Sequence, residues 1–449
     1  MDITNKKISI IGAVKSGVAA ALLAKKLGAF PFVSDSSEAA KLSKAQNLFE
    51  AENIHYEFGV HTDRIFDCDF IVTSPGVPSD SKALLKAVDK RIKIYSEVEF
   101  ASWFCKGKII AITGTNGKTT TTALMNHTLN SSGMKCYAAG NIGNPFSDIA
   151  LDVMENEFVA LETSSFQLDF IETFKPQFSM ILNITPDHMD RYENSFDKYI
   201  ASKIKIASNQ SEENFFIYNS DDPNTIKSMK NSRVQKVGFS SSKEIAVGSY
   251  YKNSEMNFAW FGKVSKVCSS SDLFIKGEHN IANALAVMNV AKLLNIPNQK
   301  IREAFSSFKG VEHRIEFVRE LNGVEYYNDS KATNIDSVVV ALKSFEKPIY
   351  LILGGKDKGN NYDDIRDLVK KHVVKIYAIG VSAQKVQDYF DPFIETEKKE
   401  SLEACVEAAS KEAKSGSVLL LSPACASFDM FNNFEHRGEV FKEAVKKLL

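Results

Sequence analysis

The 449-residue chain holds six cysteines, at positions 68, 105, 136, 268, 405 and 425, and no two of them form a Cys-x-x-Cys pair. That scatter argues against a disulfide framework or a thiolate zinc site and fits a reducing compartment. No apolar run approaches the roughly 20 residues of a membrane span, and the polar N-terminus lacks a signal-peptide pattern. The expectation is a cytoplasmic protein without membrane insertion. Charge of one sign is also missing: 55 Lys and Arg face 56 Asp and Glu, for a net charge of −1. A bulk basic field for nucleic acid or anionic lipid is thereby excluded. Repeats and low-complexity segments are absent too. What is present is 44% hydrophobic and 25% charged residues, an ordinary globular balance. At about 150 residues per domain it implies about three domains.

Apolar strand patterns alternate with helical ones, which predicts an α/β protein with parallel, doubly wound sheets. Residues 7–11, 30–34 and 70–73 read as strands, and 17–27 as a helix. A second series has strands at 108–112, 158–161 and 180–183, a strand-rich stretch at 215–274, and a helix over 280–294. A third has strands at 324–327, 349–353, 376–379 and 418–421, and a last helix from Glu439. Domain boundaries follow at 1–97, 98–310 and 311–449. Ligands of such sheets bind at the carboxyl ends of the strands. One rim is therefore Gly12 to Gly17, Asp35 to Ser37 and Ser74 to Gly76. Val14 stands where a dinucleotide fingerprint has its middle glycine, so a nucleotide diphosphate held in another way stays open beside a NAD-type cofactor.

The most informative stretch is Ala111 to Thr120, Ala-Ile-Thr-Gly-Thr-Asn-Gly-Lys-Thr-Thr, between a predicted strand and a predicted helix. In such a turn the backbone N–H groups of Gly114, Thr115, Asn116 and Gly117 can close around phosphate oxygens. Lys118 can reach the terminal phosphates, and the Thr119 hydroxyl, beside Thr120, can sit on Mg²⁺. Ile112 replaces the first glycine of the commoner spacing. A nucleoside triphosphate is expected, although the loop alone does not separate a kinase, a motor, a switch or a ligase.

Other clusters lie at strand ends. Glu162 suits Mg²⁺, or is a surface residue ending a strand. Asn183 to Tyr192 packs Asp187, His188, Asp190 and Arg191 together, as a second metal site or as a capped, solvated turn. Asn280 and Asn283, at i and i+3, can read an adenine edge or cap a helix. Lys203 carries no local mark beyond that of a surface lysine. Tyr327 to Asn334, Leu353 to Gly359 and Ser422 to Asp429 suggest a pocket for a small charged substrate.

Together these segments resemble the Mur ligase family over the whole chain: the Gly114 to Thr120 loop, Glu162, His188, Gly277 to Asn283, and His313-Arg314. Asn328 to Asn334 and Ser422 to Phe434 resemble its D-glutamate-adding branch, and the Asp-Asn-Pro-Arg motif of the diamino-acid branch is absent. The resemblance implies a Rossmann-like first domain for a UDP substrate. It implies a central P-loop ATPase-like α/β domain with added antiparallel strands, and a Rossmann-like third domain for the amino acid. It implies ATP, two Mg²⁺ ions, UDP-N-acetylmuramoyl-L-alanine and D-glutamate, and a monomer. Lys118 and its loop would hold the ATP phosphates, Thr119 and Glu162 the first Mg²⁺, and His188 with a carbamate on Lys203 the second. Asn280 and Asn283 would meet adenine, Arg314 the phosphates, and Asn141 the muramoyl group. Asp329, Lys331, Thr333, Lys358, Ser427 and Phe434 would surround ATP or D-glutamate. Lys15, Ser16, Asp35, Ser36, Ser74 and Gly76 would line the uridine nucleotide. The implied reaction is amide formation through an acyl phosphate. The rival outside this class is an ATP-driven motor or switch, which has no need of three small-molecule pockets.

Overall fold

The computed structural model describes residues 1–141, 144–228, 233–357 and 359–449. Contact density divides the chain into two bodies: Met1–Leu273 with His279–Ser307, and Phe274–Glu278 with Phe308–Leu449. Among the described residues no helix is long and apolar enough to cross a membrane.

The first body carries two sheets. One has five parallel strands in the order His55–Phe58, Phe30–Asp35, Lys7–Ile11, Phe70–Thr73, Lys93–Ser96. The other has nine, in the order Lys263–Ser269, Glu255–Trp260, Gly248–Lys252, Gln235–Ser240, Phe215–Asn219, Phe178–Ile181, Lys108–Thr113, Phe158–Glu162, Cys136–Gly140. Its pairings are parallel except those of Glu255–Trp260, which runs antiparallel to both Gly248–Lys252 and Lys263–Ser269. Lys108–Thr113 is buried from Ile109 onward, because a central parallel strand is covered on both faces. That is why it reads as a continuous apolar run.

The second body carries six strands, Glu316–Leu321, Val324–Asn328, Val418–Leu421, Ile349–Gly354, Val373–Ile379, Thr396–Lys398, of which only the first pairing is antiparallel. Parallel strands put all their carboxyl ends on one rim, and the polar clusters of each sheet leave from those ends.

Element bounds shift from the sequence reading at several places, and two of the shifts have a clear cause. The strand expected at 180–183 is Phe178–Ile181. Asn183 leaves it because its side chain pairs with the backbone of Asn116, accepting from N–H at 2.8 Å and donating to C=O at 3.1 Å. The last helix starts at Phe434, not Glu439, because the Asn433 side chain caps it by accepting from His436 N–H at 2.7 Å. Gly438, which looks like a helix breaker, sits inside it for want of space. A Cβ there would lie 2.1 Å from His313 Nδ1.

Candidate active site

The turn after Lys108–Thr113 is held by its neighbours before any ligand arrives. Thr115 N–H donates to Asn183 O at 2.9 Å. The Thr115 hydroxyl donates to Thr185 O and accepts from Thr185 N–H, both at 3.0 Å. Gly117 has φ +85°, and a Cβ on it would stand 2.5 Å from Asn283 Oδ1. Glycine is required there twice over. Asn283, which abuts the loop, in turn donates to Asn280 Oδ1 at 3.2 Å. The helix Lys118–Ser131 follows, with Thr119 and Thr120 in its first turn, so its positive end faces the loop.

Two lysines share one acceptor. Lys118 Nζ donates to Gly114 O at 2.9 Å and Thr115 O at 2.7 Å, and Lys203 Nζ donates to the same Gly114 O at 2.9 Å. Lys203 is 2% exposed and lies over the Tyr199 ring at 4.7 Å. Burial first, and repulsion from Lys118 second, hold its amine well below the ordinary 10.5. A buried neutral amine is nucleophilic toward CO₂ in a way that a surface ammonium is not.

Glu162 ends its strand beside this turn, opposite Ile112 and Gly140 in register. It is 2% exposed; Oε1 accepts from Asn141 Nδ2 at 3.4 Å, and Oε2 is buried with no hydrogen-bond partner. An orphaned buried carboxylate oxygen in a site of hydroxyl and carboxylate donors fits a hard cation such as Mg²⁺. His188, exposed at φ +53°, turns its ring edge-on to Phe166 at 5.1 Å. Phe166 lies four residues after Glu162 and also carries the Arg191 guanidinium at 4.1 Å. Arg191 donates to Pro75 O at 3.2 Å and Gly76 O at 3.4 Å. It thus ties the His188 segment to the first sheet's rim.

On that rim Asp35 is buried, with its oxygens on Ala13 N–H at 2.7 Å and Ser37 N–H at 2.8 Å. Burial alone would raise its carboxyl, but these N–H groups outweigh it and hold it below the usual range. Asp35 therefore shapes the Gly12 loop. The Ser74 hydroxyl reaches Gly12 O at 3.5 Å. Lys15 and Ser16 open the helix Lys15–Lys26, and Ser36 and Gly76 are exposed.

In the second body Asp329 is 3% exposed, accepting from Ser422 Oγ at 2.8 Å and Ile315 N–H at 3.2 Å. Burial pushes it up to about 7, against the Ser422 hydroxyl and the Arg314 charge. Lys331 Nζ lies over the Phe434 ring at 5.8 Å, and Thr333 N–H closes a turn on Lys331 O at 2.9 Å. Ser427 is buried, its carbonyl accepting from Met430 and Phe431. Lys358 lies outside the described residues.

Sequence reasoning missed Arg437, which is 1% exposed and clamps two clusters: Nε and Nη2 donate to Ser330 Oγ and O, and Nη1 donates to Cys425 O, at 2.7 to 3.0 Å. It missed Tyr199, whose hydroxyl is 3.2 Å from Thr115 Oγ1. It also gave Arg191 no role. Only tertiary proximity reveals these three.

Three family descriptions match successive stretches of the chain: MurD N-terminal domain over 7–83, Mur ligase middle domain over 112–291, and Mur ligase, glutamate ligase domain over 313–425. The UDP-N-acetylmuramoylalanine–D-glutamate ligase of Christiangramia forsetii is 44% identical over 447 residues, covering 99% of this chain and 100% of its own. Its namesake from Koribacter versatilis is 42% identical over 449 residues, covering 100% of this chain and 99% of its own. Among solved structures, the UDP-N-acetylmuramate-alanine ligase of Thermotoga maritima matches with a TM-score of 0.62 at 21% identity, covering 98% of this chain and 99% of its own, a likeness of fold. The chain belongs to the Mur ligase family, in the branch of UDP-N-acetylmuramoylalanine–D-glutamate ligases.

Proposed function

We propose that this protein joins D-glutamate to UDP-N-acetylmuramoyl-L-alanine at the expense of ATP, as a monomer, in cytoplasmic peptidoglycan synthesis. The observation that carries the reading is the end-to-end match, at 44% identity, to a relative of that activity's name. Residues 1–97 serve the UDP moiety, 98–310 ATP, and 311–449 the amino acid.

A carboxylate is a poor electrophile and its oxygen a poor leaving group, so the reaction needs activation. The carboxylate oxygen of the alanyl substrate attacks the γ-phosphorus of ATP, giving an acyl phosphate and ADP. The neutral amine of D-glutamate then attacks the acyl carbon, phosphate leaves, and the amine gives up a proton. Either His188, which is exposed, or Asp329, whose carboxyl is pushed up to about 7, would take that proton. Lys118 and the N–H groups of Gly114 to Gly117 hold the phosphates, and catalysis is positioning plus charge neutralisation. Thr119 and Glu162 would hold one Mg²⁺, and His188 with a carbamate on Lys203 a second; bound Mg²⁺ supplies charge neutralisation at the phosphates. Asn280 and Asn283 serve adenine, Arg314 the phosphates, and Asn141 the muramoyl group. Lys15, Ser16, Asp35, Ser36, Ser74 and Gly76 serve the uridine nucleotide. Asp329, Lys331, Thr333, Lys358, Ser427 and Phe434 serve ATP or D-glutamate.

Mass spectrometry of the product tests this. Incubation with ATP, the UDP substrate and D-glutamate should yield a species heavier by one glutamyl residue. A product that forms without ATP, or that gains a different amino acid, overturns the reading.

A further inference from the structure

The helix Glu97–Ser102 leaves the last strand of the first sheet and carries two almost wholly buried carboxylates, Glu97 at 1% exposure and Glu99 at 0%. They are partnered unequally. Glu99 accepts from the N–H groups of Glu172, Thr173 and Phe174, from the Thr173 hydroxyl and from the Trp103 indole. Glu97 Oε1 accepts from Ser147 N–H at 2.6 Å, while its Oε2, equally buried, has no hydrogen-bond partner. A bare buried oxygen costs free energy, so the placement calls for a reason.

Ser147 belongs to the short helix Phe146–Ile149, which ends the loop leaving Gly140. Phe146 is fully buried and fixes the foot of that loop. The other end lies against Glu162: Asn141 N–H donates to Glu162 O at 3.0 Å, Gly140 N–H donates to Asn144 O at 2.9 Å, and Asn141 Nδ2 reaches Glu162 Oε1. Asn141 itself is exposed. Asn144, held to Gly140, thus lies three residues before the Ser147 anchor, and Asn141 lies on Glu162.

We infer that Glu97 is a positioning residue for the UDP-muramoyl substrate: its carboxyl pins Ser147, and so sets Asn141 beside Glu162. The inference rests on the reading that Asn141 meets the muramoyl group. Burial, with Asp148 adding to it against the Ser147 N–H, pushes Glu97 up to about 7. A carboxyl holding its proton keeps one acceptor for Ser147 and carries one donor, which a glutamine reproduces.

Glu97→Gln and Glu97→Ala in the full chain provide the test, read by KM for each of the three substrates and by calorimetric binding of the UDP-muramoyl substrate. Glu97→Ala should raise KM and Kd for that substrate about tenfold, leave KM for D-glutamate unchanged and lower kcat less, while Glu97→Gln should stay within about threefold. Unchanged KM in both variants, or an equal loss for all three substrates, overturns the inference. Should Glu97→Ala fail to fold, Glu97→Asp, which withdraws the carboxyl by one methylene, makes the same comparison. Wild-type protein that does not bind or turn over the UDP-muramoyl substrate overturns the functional reading instead; turnover by the wild type with indifferent variants overturns this inference alone.

Discussion

Replacing Lys203 with methionine removes an amine that is 2% exposed, donates to Gly114 O, and shares that oxygen with Lys118. Burial and the neighbouring ammonium hold it well below 10.5. Between that depressed value and 10.5 the folded chain holds fewer protons than the unfolded chain, so stability rises with pH across the window. The slope is about 1.4 kcal/mol per pH unit. The wild type should therefore gain stability on Lys203→Met, whose side chain does not titrate, as pH rises toward 10.5, at up to about 1.4 kcal/mol per pH unit. Guanidinium unfolding of both proteins in CO₂-free buffer, followed by tryptophan fluorescence, measures the difference, and groups common to both cancel. Curves that run parallel in pH would refute the buried neutral amine. A neutral amine adds CO₂ to give a carbamate and a proton. ¹³C-bicarbonate should thus produce a carbamate carbon signal in the wild type that Lys203→Met lacks, and ligase activity should disappear in the folded variant.

Three further outcomes follow from the same geometry. Gly117→Ala forces a Cβ to 2.5 Å from Asn283 Oδ1 at φ +85°. The backbone alone costs about 1–2 kcal/mol, and affinity for a fluorescent ATP analogue should fall more than about tenfold. Asp329, pushed up to about 7, keeps a proton in the folded chain that the unfolded chain gives up above 3.8. Wild-type stability should therefore fall against Asp329→Asn by about 1.4 kcal/mol per unit through that window and run parallel above it, as thermal midpoints from pH 5 to 8 will report. Arg191→Ala removes the bonds to Pro75 O and Gly76 O and the stacking on Phe166. KM for the UDP substrate should rise about tenfold or more, with KM for D-glutamate unchanged, in steady-state kinetics.

Sheets and rims were legible because central parallel strands are continuous apolar runs, and the polar clusters sit where those runs stop. Lys108–Thr113 and its loop show this most clearly. Asn183 reads as the end of the preceding strand because the apolar run Met180 to Leu182 leads up to it, and only its side-chain pairing with the Asn116 backbone takes it out. The start of the last helix was missed because Gly438 looks like a breaker until the packing of His313 against it is known. Chemistry that depends on burial was the least legible. Nothing adjacent in sequence marks Lys203 as a buried amine held below its ordinary range, Glu97 as a buried anchor, or Arg437 as the clamp between Ser330 and Cys425. Those properties arise from residues tens of positions away.

The central claim is that ATP is split only to couple two particular substrates. Phosphate release measured with UDP-N-acetylmuramoyl-L-alanine, and with D-glutamate, L-glutamate, D-alanine, L-lysine or diaminopimelate in turn, tests it directly. Release that requires both the UDP substrate and D-glutamate is the predicted result. Release that is indifferent to the UDP substrate would contradict the account.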